Sequence, residues 1–402
     1  MRTSVLKSYK HTLCASYIGH ITQAIINNFT PLLFLTFEKQ YNISLSKITL
    51  LVCSNFILQL VIDAVAASFV DKIGYRKCIV TAHLLCMVGL VCLGILPAVM
   101  SNAFGGIFIS MIMYALGGGL IEVLIAPIVE ACPTANKNSC MSLLHFFYSA
   151  GHVGVVIVSA VFFFVLGIAN WRVLAILWAI IPLFNTVYFL LVPIYTLQSD
   201  NEKQCSLKEL IRSKIFLFFI LLMFLSGASE QGMNQWASAF AESALMNSSF
   251  SKHAKVIGDL LGPCMFAFMM GMSRLIYSKH SKSINLEHLM TAAFFVCATC
   301  YIGSAVVPHP AIKLMFCGLC GLSIGIAWPG IYLLAPKHCG KASTASFALL
   351  ALGGDLGCAA GPAAVGLVSE HFCSINAGIF TAFIFPVLLL LGMIFLCFAK
   401  RK

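Results

Sequence analysis

The chain has 402 residues, of which 60% are hydrophobic and only 10% charged, with a mean hydropathy of +0.95. A soluble domain carries about a quarter charged residues, so this composition excludes a soluble enzyme, a disordered chain and a nucleic-acid binder. The net charge of +11 therefore needs another origin, and the placement of Lys and Arg supplies it.

Long continuous apolar runs, rather than short alternating ones, exclude a β-barrel. At about 20 apolar residues per crossing, plus a loop, the length predicts roughly twelve membrane helices. In chain order the runs predict spans over 12–38, 46–70, 78–98, 103–131, 139–167, 173–195, 215–243, 255–278, 288–307, 311–335, 342–369 and 374–398. A short basic stretch (Arg2, Lys7, Lys10) leads straight into the first span without a signal peptide's cleavage pattern, so that helix is expected to be retained. With the N-terminus inside, 19 of the 25 Lys and Arg fall on inner segments, Arg274 being counted with Lys279 and Lys282 at the inner end of the eighth span. Only Lys39, Lys47, Arg172, Lys252, Lys255 and Lys313 fall outside. The positive-inside rule thus reads the surplus charge as topology, with both termini cytoplasmic.

The longest polar stretch, 196–214, lies at the centre of the chain. It predicts a six-helix bundle over 1–195, a cytoplasmic linker over 196–214 and a second six-helix bundle over 215–402. Sliding one half by 203 residues places Pro133 on Pro336, Gly151 on Gly354, Gly154 on Gly357 and Asn27 on Glu230. Parallel six-helix repeats are the arrangement of major facilitator transporters.

Between the second and third spans, AASFVDKIGYRKC resembles the major facilitator signature of that loop in Asp71, Lys72, Gly74, Arg76 and Lys77, while Ala67 and Tyr75 depart from it. A carboxylate at a helix end can pair with the basic loop and receive a neighbouring helix dipole. Asp71, Lys72, Gly74 and Arg76 are therefore expected to form a gating latch. Three further stretches resemble the fucose–galactose–glucose proton symporter family: GGGLIEVLIAPIVE in span 4, GASEQGMNQW in span 7, and GIAWPGIYLLA with LLALGGDLGCAAGP in spans 10 and 11. Glu122 to Pro127 and Glu230 to Trp236 keep that family's spacings. The resemblance implies a secondary transporter of a small polar solute, expected to be a sugar, working by alternating access with proton coupling. The family's span-1 carboxylate falls on Asn27 here. Proton-driven efflux of amphiphilic compounds and uncoupled facilitated diffusion are the alternatives.

Acids inside spans carry the chemistry, because an ionisable group in hydrocarbon costs at least about 2.5–3.5 kcal/mol and needs a partner, a cavity or a proton. Glu122 and Glu230 are the expected proton-coupling residues, with Asp63 and Asp355 as further buried acids. None of their helices offers a Lys or Arg at the same depth, so burial is expected to favour the neutral acids. Glu230 or Gln231, Asn234, Ser238 and Glu242 recur at helical spacing in span 7, as do Tyr17, His20, Gln23, Asn27 and Thr30 in span 1. Such amides suit vicinal hydroxyls. Gln23, Asn27, Gln231, Asn234, Trp236, Trp328 and Tyr332 are accordingly the candidate substrate contacts. Trp236 can reach a substrate only if span 7 is broken, since six residues turn a helix by about 240°.

His145 and His152 share one face of span 5 but offer too few ligands for a metal. Cys317 and Cys320 have CxxC spacing within an apolar span and are read as small apolar filler without a second pair. The glycines at 117–119, 353–354 and 357 are expected to allow close helix approach. HExxH and ATP-binding motifs are absent from the sequence. The expectations are a non-enzymatic protein without cofactor or metal, a partner set of small solute, proton and lipid bilayer, and function as a monomer in the cell (cytoplasmic) membrane.

Overall fold

The computed structural model describes residues 7–43, 45–197, 207–237, 240, 254–339 and 343–399, and all regular structure among them is helical. The N-terminal half contains α1 (Tyr9–Phe29), α2 (Phe34–Tyr41), α3 (Leu45–Ile73), α4 (Tyr75–Val99), α5 (Ala103–Ala131), α6 (Lys137–Leu166), α7 (Trp171–Trp178) and α8 (Ile180–Leu191). After α9 (Leu207–Arg212) come α10 (Lys214–Asn234), α11 (Ala254–His280), α12 (Leu286–Val306), α13 (Pro310–Ile324), α14 (Ala327–Cys339), α15 (Thr344–His371), α16 (Ile375–Ala382) and α17 (Ile384–Ala399).

Nine stretches among the described residues are long and apolar enough to cross a bilayer. Helices α1, α3 and α11 are comparable at 21, 29 and 27 residues but carry more polar side chains, and with them the set reaches the twelve expected spans. Even the shortest of these reaches about 31 Å at 1.5 Å per residue, enough for a hydrocarbon core of about 30 Å. Several spans are broken. The first turns through a short 3-10 segment, Thr30–Leu33, that contains Pro31, and the tenth breaks between Ile324 and Ala327. The seventh is regular to Asn234, turns at Gln235 and Trp236 and is helical again at Ala237 and Phe240, and its predicted end at 243 lies outside the described residues.

The chain divides into two compact units. The first comprises Met1–Lys137, Ala150–Leu207 and Ala342–Leu349. Its helices α4 and α5 approach closely because glycines remove the side chains between them: a Cβ on Gly89 would lie 2.7 Å from the Tyr114 amide, and one on Gly117 2.6 Å from Cys86 Sγ. Fully buried Phe37 and Trp171 meet edge to face at 5.3 Å, and the Trp171 indole donates to Gln40 at 2.9 Å. Buried His83 contacts the Asn185 amide through Nε2 at 2.8 Å, and Asn185 donates to Ala15 O at 3.0 Å, tying α4, α8 and α1.

The second unit comprises Asn138–Ser149, Lys208–Lys341 and Leu350–Lys402. Phe216, Phe219, Phe266, Phe294 and Tyr301 form its fully buried aromatic core. The expected repeat has a physical counterpart. In the first unit Ala24 packs on Gly151, and in the second Gly227 packs on Gly354, residues related by the same offset of 203. Only backbone-sized residues at these positions let α1 reach α6, and α10 reach α15. Gly154 and Gly357 do not share this role, since Gly154 has open space beside it while Gly357 abuts Phe224.

Two sequence readings are corrected. Cys317 and Cys320 are not a lone pair: Cys297 and Cys300 on α12 repeat the spacing, all four are fully buried, and Cys297 Sγ lies 3.7 Å from Cys320 Sγ. Among the described residues no set of three or more His, Cys, Asp or Glu is arranged to hold a metal ion. Arg274 is not a surface charge at the inner side. It lies within α11, only 2% exposed.

Candidate functional site

In the first unit the polar residues of α1 meet those of α3 and α5. Gln23, 3% exposed, donates from Nε2 to Glu122 Oε2 at 2.5 Å. One turn on, Asn27 Oδ1 accepts from Gln59 Nε2 at 2.9 Å. Gln59 is 2% exposed and Asp63, four residues further along α3, is fully buried. The glycine run of α5 permits this arrangement, since a Cβ on Gly119 would come within 3.1 Å of Ile62 and one on Gly118 within 3.7 Å of Gln59 Nε2. Thr30 and Tyr114 hydroxyls close the end of the row at 2.8 Å. Sequence reasoning passed over Gln59, although its i, i+4 relation to Asp63 places the two on one helical face.

The signature loop also falls in this unit. Gly74 has φ +96°, a conformation that side-chain-bearing residues rarely adopt, and it links α3 directly to α4. Asp71 accepts a hydrogen bond from Thr344 Oγ1 at 2.8 Å, and Thr344 in turn is bonded to the Tyr75 hydroxyl. Thr344 opens α15, so the carboxylate sits at a helix N-terminus. Arg76 does not pair with that carboxylate. Its guanidinium donates to Phe189 O, Leu190 O and Val192 O at 2.8–2.9 Å, capping the carbonyls left open at the end of α8. Lys72 is exposed.

In the second unit the expectation that Glu230 lacks a cation is overturned. Arg274 Nη2 lies 3.6 Å from Glu230 Oε2, with both side chains buried. Gln231 Nε2 donates to Glu230 Oε1 at 3.4 Å, and Asn234 Nδ2 and Gln235 Nε2 donate to Gln231 Oε1 at 3.3 and 3.2 Å. The amides therefore run from the acid to the end of α10. Arg274 is the residue that sequence reasoning missed.

The same guanidinium donates through Nε to Gly325 O at 2.8 Å, and through Nη1 to His145 O at 3.1 Å and Ser149 Oγ at 2.6 Å. Gly325 O is open for a local reason: a helix would pair it with the amide of residue 329, which is proline and has no N–H.

Aromatic side chains flank these groups. Tyr332 stacks on His145 with centroids 5.8 Å apart, and Trp328 lies 6.3 Å from Tyr332. Trp236 is half-buried in the turn after α10, and its indole donates to Pro362 O at 3.0 Å. Asp355 lies on α15 beside Gly354. Ser238 and Glu242 lie outside the described residues.

The sequence profile of the Major Facilitator Superfamily matches residues 16–362. No curated protein matches the chain by sequence. Among solved structures the chain is similar to the E. coli fucose:proton symporter FucP, with a TM-score of 0.80 at 14% identity, covering 96% of this chain and 99% of that one. It is similar to the human organic anion transporter MFSD10 with a TM-score of 0.72 at 14% identity, over 96% and 99% of the two chains. The proton:xylose symporter XylE, solved with a bromodeoxyglucose, gives 0.77 at 13% identity over 96% and 94%. At these identities the likeness is one of fold.

Proposed function

Because the chain belongs to the major facilitator superfamily, we propose that it is a secondary transporter that carries a small uncharged polar solute, a sugar in our reading, together with protons. The observation that supports this most is the Gln23–Glu122 bond. A carboxylate facing an amide keeps a hydrogen bond in either protonation state, because the amide offers both a donor and an acceptor. Such a carboxyl can take up and release a proton inside a span without leaving a polar group orphaned. Glu122 is thus the primary proton carrier of this reading, and Glu230 the second coupling acid.

Asn27 stands where the resembling family has its span-1 carboxylate, so coupling in the first unit rests on Glu122. In the first unit Gln23, Asn27 and Gln59 offer the paired donors and acceptors that a polyol requires; in the second, Gln231 and Asn234 offer amides, and Trp236, Trp328 and Tyr332 ring faces. An uncharged solute is favoured because the buried cation Arg274 already has a carboxylate beside it. Asp71, Lys72, Gly74 and Arg76 are the proposed gating group, and both termini are placed on the cytoplasmic side by the Lys and Arg distribution.

The test is external pH in lightly buffered proteoliposomes as neutral sugars are added singly, with Glu122→Gln alongside. We expect alkalinisation with one sugar, lost in Glu122→Gln while labelled-sugar counterflow persists. Counterflow without any pH change in the wild type would replace symport by facilitated diffusion. Absence of both with every sugar would overturn the sugar reading.

A further inference from the structure

We propose that Arg274 is a positioning residue through which the charge on Glu230 controls the packing of the Asn138–Ser149 stretch of α6. The inference rests, for its use in transport, on the reading of Glu230 as a coupling acid.

The guanidinium is 2% exposed and meets three separate elements: Glu230 on α10, Gly325 O at the α13–α14 break, and His145 O with Ser149 Oγ on α6. The backbone of the same residue is held as well, since Ser142 Oγ donates to Arg274 O at 2.5 Å. One turn earlier, Gly271 makes the approach possible, because a Cβ there would sit 3.2 Å from Ser149 Cβ. Toward the end of α11, Ser139 and Ser278 hydroxyls meet at 2.9 Å. The first twelve residues of the second unit are therefore held against α11 by a ladder in which Arg274 is the only charged rung.

The guanidinium is planar and its donors form a rigid fork, so its contacts cannot be changed one at a time. With Glu230 ionised, the fork is fixed by charge on one side and by α6 carbonyl and hydroxyl groups on the other. Once Glu230 is neutral, a buried cation is left without its counter-ion, and a buried charge needs pairing. The fork turns to find water or another acceptor, and Nη1 leaves His145 O and Ser149 Oγ. The other titratable groups about the pair are His145 and Tyr148 on α6, Tyr332 stacked on His145, Tyr301 bonded to Ser229 O, and Asp355 beside the Gly354 that packs on Gly227.

Amide hydrogen exchange by mass spectrometry in lipid nanodiscs, with every variant compared at one pD, tests the link. Glu230→Gln and Arg274→Gln are each expected to raise exchange over 138–149 about tenfold and to leave 168–191 unchanged. In the double variant, Glu230→Gln is expected to add nothing, because its effect is routed through Arg274. Wild-type protection of 138–149 in Glu230→Gln, or an undiminished effect of Glu230→Gln in the Arg274→Gln background, would overturn the proposal. Should Arg274→Gln also raise exchange over 168–191, Arg274→Lys takes its place, with the same non-additivity expected and additive effects counting against it. Exchange needs neither solute nor gradient, so this result and the proteoliposome result fail separately.

Discussion

Glu122 and Glu230 carry the same side chain, yet their neighbours give them different properties. Beside Gln23, Glu122 can gain a proton and keep its bond. Beside Arg274, Glu230 gains a proton only by leaving a buried cation without its counter-ion. Removing one partner of a buried ion pair costs about 3–5 kcal/mol, so Glu230→Gln is expected to lower the thermal unfolding temperature clearly, and Glu122→Gln to lower it little. Differential scanning fluorimetry in detergent separates the two. Trp236 combines a structural bond with a proposed solute contact. Trp236→Phe keeps a ring but loses the bond to Pro362 O, at a cost of about 0.5–1.5 kcal/mol in stability, and is expected to leave KM nearly unchanged. Trp236→Ala is expected to raise KM about tenfold, and labelled-solute uptake measures both.

The breaks in the helices position the chemistry more than their regular parts do. Pro329 opens Gly325 O, and Arg274 Nε occupies it. Pro329→Ala returns an amide to compete for that carbonyl. It is expected to protect the amides of 325–330 from exchange and to slow uptake several-fold. Gly74 joins α3 to α4 at a φ that costs other residues about 1–3 kcal/mol. Gly74→Ala is expected to destabilise the protein by about that amount, read as a shift in thermal unfolding. Sequence reasoning located the spans, the signature loop and the acids because each depends on local composition. It misread Arg274 because the residue was counted with Lys279 and Lys282 as inner-side charge, although the predicted span 255–278 contains it. The helix runs six residues past Arg274, about 9 Å, which carries the side chain back into the span. Gln59 went unseen because an uncharged amide stands out less than Asp63, although the two share a face. The second CxxC, Cys297 and Cys300, was visible as a spacing but acquires meaning only when α12 is laid against α13.

At the scale of the molecule, hydropathy and charge placement sufficed for an all-helical membrane protein of two related halves, and the Ala24–Gly151 and Gly227–Gly354 contacts give the repeat a packing basis. The division into units was less legible. Asn138–Ser149 and Ala342–Leu349 each belong with the half of the chain that lies away from them in sequence, and no periodicity or charge pattern marks such an exchange. The two stretches hold Ser142, Ser149 and Thr344, short hydroxyl side chains that bond Arg274 and Asp71. The internal neutralisation of Arg274 by Glu230 also bears on voltage. If the protein's own buried charges cancel, the cargo sets the current. In the proposed symport each proton moved with an uncharged solute transfers one positive charge, worth about 2.3 kcal/mol for every 100 mV across the membrane. Uptake is expected to accelerate when a potassium diffusion potential makes the vesicle interior negative, and an organic anion carried with one proton would be indifferent to it.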